Sequence, residues 1–235
     1  MGSADSSGTG QEPKRCTRWC GHGSRRTATC HARVTYKTAD AEAAVQAMCR
    51  ERLQTTRTET HHQVVNVFAQ DERRFGLLTV RRLTARGVQP VGTVQHTFQR
   101  FYLYGAVAPT SGAHLFLSFP RLTSTTLHRF LDTVAQAYPD SLTMLVLDNS
   151  GAHTAKRLTI PPTMRCVLLP PYGPELNPIE RLWRAVKDDV AWHQFPDVDT
   201  HQQYVTALLD TYDAQTLQSL TGYSYVVDAV NALSA

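Results

Sequence analysis

The chain has 235 residues, of which 42% are hydrophobic and 19% charged, and its net charge is +4. This composition excludes a mainly disordered chain and is typical of one globular domain with an appendage. The sequence contains no run of 18 apolar residues, and its polar start over residues 1–11 lacks the apolar segment of a secretory signal. We therefore expect a cytoplasmic protein without a membrane partner.

The net charge hides a strong asymmetry along the chain. Residues 1–37 carry a net charge of +5, residues 38–187 carry +6, and residues 188–235 carry −7. A basic front and a basic body are typical of proteins that bind a polyanion such as DNA. Ordinary solvated surface charge remains the alternative explanation.

The first third of the chain divides into two segments before the main domain. Residues 1–37 are rich in Ser, Thr, Gly and Arg without apolar periodicity, which predicts a disordered basic tail. Residues 38–63 predict a helix from Asp40 to Leu53, followed by a polar linker over residues 54–62. Residues 64–235 then form the predicted main globular domain.

The basic tail also contains a cluster of possible metal ligands. Cys16, Cys20 and Cys30 lie near His22 and His31. Their spacing lacks the paired pattern of a zinc site, so reduced free thiols are the simpler interpretation.

Residues 64–119 predict an antiparallel meander in which the strands are rich in β-branched and aromatic residues. The predicted strands are 64–69, which stops at Asp71, then 74–80, 100–107 and 113–119. A basic loop over residues 81–90 separates the second of these from the third. Pro109 to Gly112 predicts the turn before the last strand.

The second half predicts helices around further strands. Thr123 or Ser124 caps a helix through Tyr138, and the apolar strand Leu142–Leu147 ends at Asp148. The remaining predicted elements are a strand at 166–169 and helices at 178–192, 200–212 and 224–233. This order predicts an α/β (α+β) fold, a mixed sheet with an antiparallel three-strand meander flanked by helices. Ribonuclease-H-like folds have the same order of elements.

Three carboxylates lie where sheets usually place chemistry. Asp71 and Asp148 each follow a predicted buried strand, and Glu180 lies in the first turn of a helix. Carboxylates brought together repel one another unless a cation joins them, and Mg²⁺ prefers such oxygen ligands. Two such ions can hold the attacking and leaving oxygens of a phosphoryl transfer.

Each carboxylate also has a purely structural interpretation. Asp71 can simply end a strand, and Asp148 can begin an ordinary turn over residues 148–151. Asn177 with Pro178 and Glu180 matches a helix-capping pattern, in which Glu180 only satisfies backbone N–H groups.

Three stretches carry a resemblance to a known family. Residues 147–153 (LDNSGAH) resemble the second-aspartate motif of DDE transposases, and residues 169–183 (LPPYGPELNPIERLW) resemble their third-acid motif. Residues 70–76 (QDERRFG) are similar to the first-aspartate motif. The combination resembles the mariner-like superfamily and, within it, bacterial insertion-sequence transposases of the six-thirty family. The resemblance runs from about Asp40 to the C-terminus.

The resemblance implies a ribonuclease-H-like catalytic domain in which Asp71, Asp148 and Glu180 bind two Mg²⁺ or Mn²⁺ ions. It implies that water hydrolyses the phosphodiester at each element end and that the freed 3′-hydroxyl then attacks target DNA. DNA at element ends and target sites is the implied partner, with a homodimer in the working complex. Asn149, His153 and Asn177 match motif positions and are expected to support the site, or else to make only turn and cap hydrogen bonds.

Basic side chains provide candidate contacts to the DNA backbone, which would position DNA without reading its sequence. A solvated helix face is the alternative for those near Glu180, and Leu182 and Trp183 are expected to anchor that helix in the core. The candidates are Arg81, Arg82, Arg86, Arg181, Arg184 and Lys187.

The chain departs from the family at its start. Relatives carry an N-terminal helix-turn-helix region that recognises terminal inverted repeats, whereas only the short segment 1–70 precedes Asp71 here. This predicts a truncated or frameshifted copy, or a partner encoded by a separate N-terminal open reading frame. Two functions compete: an active transposase core, and a catalytically silent remnant or domesticated non-specific DNA-binding protein. A ribonuclease or resolvase on the same fold is a third, disfavoured by residues 174–180.

Overall fold

The computed structural model describes residues 39–59, 65–77, 98–148, 159–170, 173–191 and 193–232. These residues belong to one compact unit, Tyr36–Ala235. The predicted tail with its cysteines lies outside them. Outside them too are Arg81, Arg82, Arg86, Asn149 and His153.

Strands and helices alternate along the described part of the chain. The strands are β1 (Val65–Gly76), β2 (Arg100–Val107), β3 (His114–Phe119), β4 (Leu142–Leu147) and β5 (Met164–Leu168). The helices are α1 (Ala39–Glu59), α2 (Ser124–Ala137), α3 (Ile179–Val190), α4 (Val198–Asp210), α5 (Ala214–Thr221) and α6 (Ser224–Asn231), with a 3₁₀ turn at Pro174–Leu176.

The strands form one mixed sheet in the order β3-β2-β1-β4-β5. β1 pairs antiparallel with β2, and β2 pairs antiparallel with β3, so the predicted three-strand meander is confirmed. β4 pairs parallel with both β1 and β5. Helices cover both faces of this sheet, as the predicted fold class requires.

The predicted break of the first strand at Asp71 is wrong. β1 runs unbroken through Asp71 to Gly76, and the separate strand predicted from Arg74 to Val80 does not start there. The polar run at residues 70–74 suggested an end. The strand continues because β2 supplies backbone partners along its second half, up to the pair of Gly76 with Arg100. The first half of β1 pairs with both β4 and β2, whereas its second half pairs with β2 alone, and the strand does not end at Asp71.

The predicted linker after Leu53 is partly wrong as well, because α1 continues to Glu59. The Thr55 hydroxyl donates to the Glu51 carbonyl and the Thr58 hydroxyl donates to the Thr55 carbonyl, at 2.9 and 2.7 Å. Such back-bonding lets polar residues stay in a helix. Leu53 is 1% exposed and Thr56 is 3% exposed, so this last stretch also packs inward.

Other boundaries differ by one or two residues, with one helix unpredicted. Strand β5 starts at Met164 and α4 starts at Val198, in each case slightly before the predicted start. α5 was not expected, since only Leu217 and Thr221 of its residues are buried. Thr123 forms the predicted cap of α2, with reciprocal hydrogen bonds to Thr126.

The apolar core consists of three clusters, one on one face of the sheet and two on the other. We call the surface that packs against α2 the α2 face, and it includes Phe68, Tyr104, Leu145 and Leu147. We call the opposite surface the α3 face, and it includes Val67, Ala69, Leu103 and Val146, which pack against α1, α3, α4, α5 and α6. Side chains alternate between these faces along each strand.

Two cysteines fall within the described residues, and both are free. Burial raises the pKa of Cys49 in α1 and of Cys166 in β5 to about 11, so neither thiol is reactive near neutral pH. Within the ranges described, none of the helices has the length and apolar character needed to cross a membrane.

Candidate active site

Asp71 lies at the point where β1 changes partners. Parallel pairing with β4 is recorded up to Ala69 and Val146, whereas antiparallel pairing with β2 continues beyond it, with Asp71 opposite Gly105. Asp71 is 8% exposed. As an odd-numbered residue of β1 it shares the α3 face with Val67 and Ala69. The site is therefore set into the sheet, beside the carboxyl end of β4.

Asp148 follows β4 directly and is half-buried. The register of β1 and β4, extended beyond Ala69 and Val146 to the next residues of that face, places Asp148 beside Asp71. Neighbouring strands lie about 4.8 Å apart. The negative charge of Asp148 contributes to the raised pKa of Asp71, which agrees with this placement.

Glu180 reaches the site from the start of α3, and Asn177 fixes the position of that start. The buried Asn177 side chain donates from Nδ2 to the backbone carbonyl of Gln70, the neighbour of Asp71, at 2.9 Å. Its Oδ1 accepts only a long hydrogen bond, 3.5 Å, from the Ile179 N–H. Asn177 has extended backbone angles and Pro178 already has helical ones, so the predicted order of an Asn cap followed by Pro in the first turn agrees with the backbone. Asn177 mainly ties the helix to the strand.

Burial is the largest cause that raises the pKa of Asp71, to about 8, followed by the charges of Glu180 and Glu72. A carboxyl group kept neutral in this way is what a cluster of carboxylates produces without a counter-cation. Hard carboxylate oxygens are also the ligands that Mg²⁺ and Mn²⁺ take. The three carboxylates therefore fit a divalent cation in their chemistry.

In the conformation described, no three His, Cys, Asp or Glu side chains among the described residues are grouped closely enough to hold a metal ion. Glu180 instead forms an ion pair with Arg73, with 3.6 Å between guanidinium and carboxylate, and both side chains are 30% exposed. The Arg73 contact was not anticipated from the sequence, because Arg73 lies on β1, far before Glu180 in the chain.

Trp183 completes the surroundings of Asp71. Its indole N–H donates to Asp71 Oδ2 at 2.9 Å, and the side chain is fully buried, as is that of Leu182. The sequence predicted Trp183 only as a core anchor. The hydrogen bond was missed because a buried tryptophan at helical spacing carries no signal of which acceptor it meets.

Basic side chains surround Glu180. Burial lowers the pKa of Lys187, and the charges of Arg73 and Arg74 lower it further, so these three cations lie near one another. The Arg181 guanidinium lies 4.2 Å from the centre of the Tyr223 ring, a cation–π contact. Arg184 is exposed. The described candidates for phosphate contact thus lie on α3 and β1.

Comparison with known proteins shows which family the chain resembles. Residues 66–202 match the family model described as DDE superfamily endonuclease. The uncharacterized protein y4pE/y4sA of Sinorhizobium fredii (strain NBRC 101917 / NGR234) is 30% identical over 105 residues, which are 43% of this chain and 78% of that protein.

Solved structures of Mos1 transposase share the fold. The Mos1 paired-end complex with the left transposon end has a TM-score of 0.53 at 13% identity, over 94% of this chain and 66% of that one. The catalytic domain of Mos1 mariner transposase has a TM-score of 0.50 at 12% identity, over 83% of this chain and 92% of that one. Other Mos1 paired-end complexes contain Mn or Mg. This chain spans just under two thirds of the Mos1 chain in the paired-end complex.

The mixed sheet with helices on both faces is thus the ribonuclease-H-like fold of transposase catalytic domains, as predicted. Since the family model matches more than half of the sequence, the chain belongs to the DDE superfamily endonucleases. The predicted DDE superfamily is confirmed, and the fold is that of Mos1 transposase, while the mariner-like assignment stays a prediction. The finer assignment to the six-thirty family stays a prediction.

Proposed function

We propose that this chain is the catalytic core of a DNA transposase, which cleaves phosphodiester bonds and joins strands with divalent metal held by Asp71, Asp148 and Glu180. The observation that carries the proposal is the buried Asp71 carboxyl, whose pKa is raised by burial and by the nearby charges of Glu180 and Asp148. Burying such a group is costly. A bound cation would offset this cost, because it would neutralise the buried carboxylate.

The bound Mg²⁺ or Mn²⁺, two ions by family expectation, would supply Lewis-acid activation of water and of the phosphate. Asp71 provides the rigid ligand, because it lies within β1 and is paired with Gly105 of β2. Glu180 is the adjustable ligand, since it must exchange Arg73 for the cation, and its 30% exposure leaves room for that rotation. Asn177 keeps the start of α3 beside Asp71 throughout.

DNA is the proposed substrate and partner. Arg73, Lys187 and Arg184 lie beside or on the helix that carries Glu180, where they can neutralise backbone phosphates. Mos1 transposase forms a paired-end complex. We extend this to two copies of the present chain acting on two element ends. The supporting roles of Asn149 and His153, and DNA contacts by Arg81, Arg82 and Arg86, rest on the motif and on charge alone.

Nicking of supercoiled plasmid DNA in Mg²⁺ or Mn²⁺ tests the proposal directly. We expect Asp148→Asn to reduce nicking at least about 100-fold, because it removes one charged oxygen ligand while keeping the shape of the side chain. Asp140→Asn is the matched control, since Asp140 is an exposed aspartate in the turn before β4. Its nicking rate should equal that of the wild type.

The same experiment decides between the competing functions. Nicking that is unaffected by Asp148→Asn would remove the assignment of the three carboxylates. Salt-sensitive plasmid binding by the folded wild-type chain, without any nicking in either metal, would instead support the silent or domesticated DNA-binding protein. Cleavage of RNA in place of DNA would support a ribonuclease on the same fold.

A further inference from the structure

Trp183 is bonded to the candidate site in a way that packing alone does not require. The side chain is fully buried in the middle of α3, and its single N–H donates to Asp71 Oδ2 at 2.9 Å. A buried indole N–H needs an acceptor, and backbone carbonyls usually serve. Here the acceptor is the most buried of the three candidate metal ligands.

The sheet leaves a space for this contact. Gly105 is the β2 residue directly opposite Asp71, and a Cβ atom at Gly105 would lie 2.7 Å from Trp183 Cη2 and 3.0 Å from Phe116 Cδ1. The indole therefore lies over the backbone of Gly105, and Phe116 packs beside it with 6.2 Å between the ring centres. Glycine at the position paired with Asp71 is what allows the N–H to reach the carboxylate.

The indole N–H constrains which way the acceptor oxygen points. An indole N–H donates only, so Asp71 Oδ2 must present a lone pair to it. This contact fixes the rotation of the carboxyl group. A carboxylate has about four lone-pair sites, so one bond from Trp183 leaves others for a cation. Partners of this kind orient metal ligands in many sites.

We propose that Trp183 is a positioning residue for metal binding, whose indole N–H orients the Asp71 carboxylate, and that Gly105 provides the space for it. Because Trp183 and Glu180 are neighbours at i, i+3 spacing on α3, one helical turn delivers both the third carboxylate and the group that orients the first. This inference rests on the proposed function, since it assumes that Asp71 binds a divalent cation.

A purely structural tryptophan would affect stability, whereas a positioning tryptophan affects metal affinity at equal stability. The sharp test replaces Trp183 in the full chain with β-(3-benzothienyl)alanine, which keeps the ring shape but has sulfur where the N–H was. Mn²⁺ binding is then measured by electron paramagnetic resonance, without DNA and without turnover. We expect Mn²⁺ to bind about 10- to 100-fold more weakly than to the wild type.

Two further variants separate the explanations. Trp183→Phe should weaken Mn²⁺ binding similarly and also lower the thermal midpoint, because it leaves a cavity. Val186→Ala changes a fully buried residue of the same helix whose side chain cannot form a hydrogen bond to Asp71. It should lower the thermal midpoint and leave Mn²⁺ affinity unchanged.

The outcomes distinguish the inference from the function on which it rests. If Asp71→Asn abolishes Mn²⁺ binding but the benzothienyl variant binds Mn²⁺ like the wild type, the role of Trp183 is wrong and the proposed metal site stands. If the wild type shows no Mn²⁺ binding that depends on Asp71, both are wrong. If Val186→Ala weakens Mn²⁺ binding as much as the benzothienyl variant, the effect is general loosening of α3, and the inference is overturned.

Discussion

The two faces of the sheet differ in what they bury. The α2 face meets apolar side chains of α2, such as Phe130 and Val134, and the polar side chains that it buries, Gln70 and Thr143, are uncharged. The α3 face buries Asp71, Asn177 and His201 among its apolar residues. Buried polar groups destabilise a fold unless they are compensated. The difference between the faces is therefore one of charge: the α3 face buries a carboxyl group, that of Asp71, at the candidate site.

The strongest test of this contrast is Phe130→Ala on the α2 face. Phe130 is fully buried between the sheet and α2, so truncation should lower the free energy of unfolding by about 3–5 kcal/mol. Urea denaturation measures the loss. At a temperature where the variant is folded, its plasmid-nicking rate per folded molecule should match that of the wild type. A rate more than tenfold lower would show that the two faces are not separable.

A second prediction concerns the pH dependence that His201 gives to the α3 face. His201 is 3% exposed, stacks on Phe195 at 4.3 Å between ring centres, and both of its ring nitrogens are buried without a hydrogen-bond partner among the described atoms. Burial lowers its pKa from 6.5 to about 4. Between those pH values the unfolded chain takes up a proton that the folded chain does not. The free energy of unfolding should therefore fall as the pH falls from 6.5 to about 4, by at most about 3 kcal/mol.

Comparison of variants isolates the contribution of His201 from that of other titrating groups. His201→Phe fills the same aromatic cluster without a titratable nitrogen, so its stability should depend less on pH across that interval than that of the wild type. His114→Gln, at an exposed position of β3, should keep the wild-type dependence. Parallel curves for the wild type and His201→Phe, obtained by urea denaturation at each pH, would contradict the prediction.

Gly105→Ala is predicted to have the smallest effect on stability, and it should also weaken metal binding at the candidate site. The added methyl group would overlap Trp183, so we expect a loss of about 1–3 kcal/mol and roughly tenfold weaker Mn²⁺ binding. Gly112→Ala is the matched control. Gly112 has φ of 70° in the turn between β2 and β3, and a Cβ there would lie 2.3 Å from the Ala214 carbonyl oxygen. That variant should be destabilised with Mn²⁺ affinity unchanged; equal weakening in both would refute a local effect.

Much of the α2 face could be predicted from the sequence, because its packing follows simple periodicity. The apolar spacing from Leu127 to Val134 predicted α2, and the uninterrupted apolar run at 142–147 predicted β4 with its observed boundaries. Capping by Thr123 follows from local hydrogen bonding, which neighbouring residues decide among themselves. These features depend on residues close together in the chain.

The α3 face could be predicted only in part, since its interactions join distant residues. Motif resemblance proposed Asp71, Asp148 and Glu180 as candidates, and it did not predict the continuation of β1 past Asp71, which depends on pairing with β2 much later in the chain. The partners of Asn177 and Trp183 lie on β1, far earlier in the chain. Sequence spacing carries no information about such contacts, so the roles of Gln70, Arg73 and Gly105 emerged only from the structure.

The change of partner along β1 has a consequence for how the chain folds. Ala69 pairs with Val107 on one side and with Val146 on the other, and the second pairing closes the longer stretch of chain. Pairings that close long stretches of chain form slowly compared with local structure. Asp71 lies just beyond the last recorded pair of β1 with β4, so Asp148 comes beside it only when that pairing of longer range has formed. Completion of the candidate site therefore depends on the pairing of β1 with β4, and the antiparallel meander alone does not bring its carboxylates together.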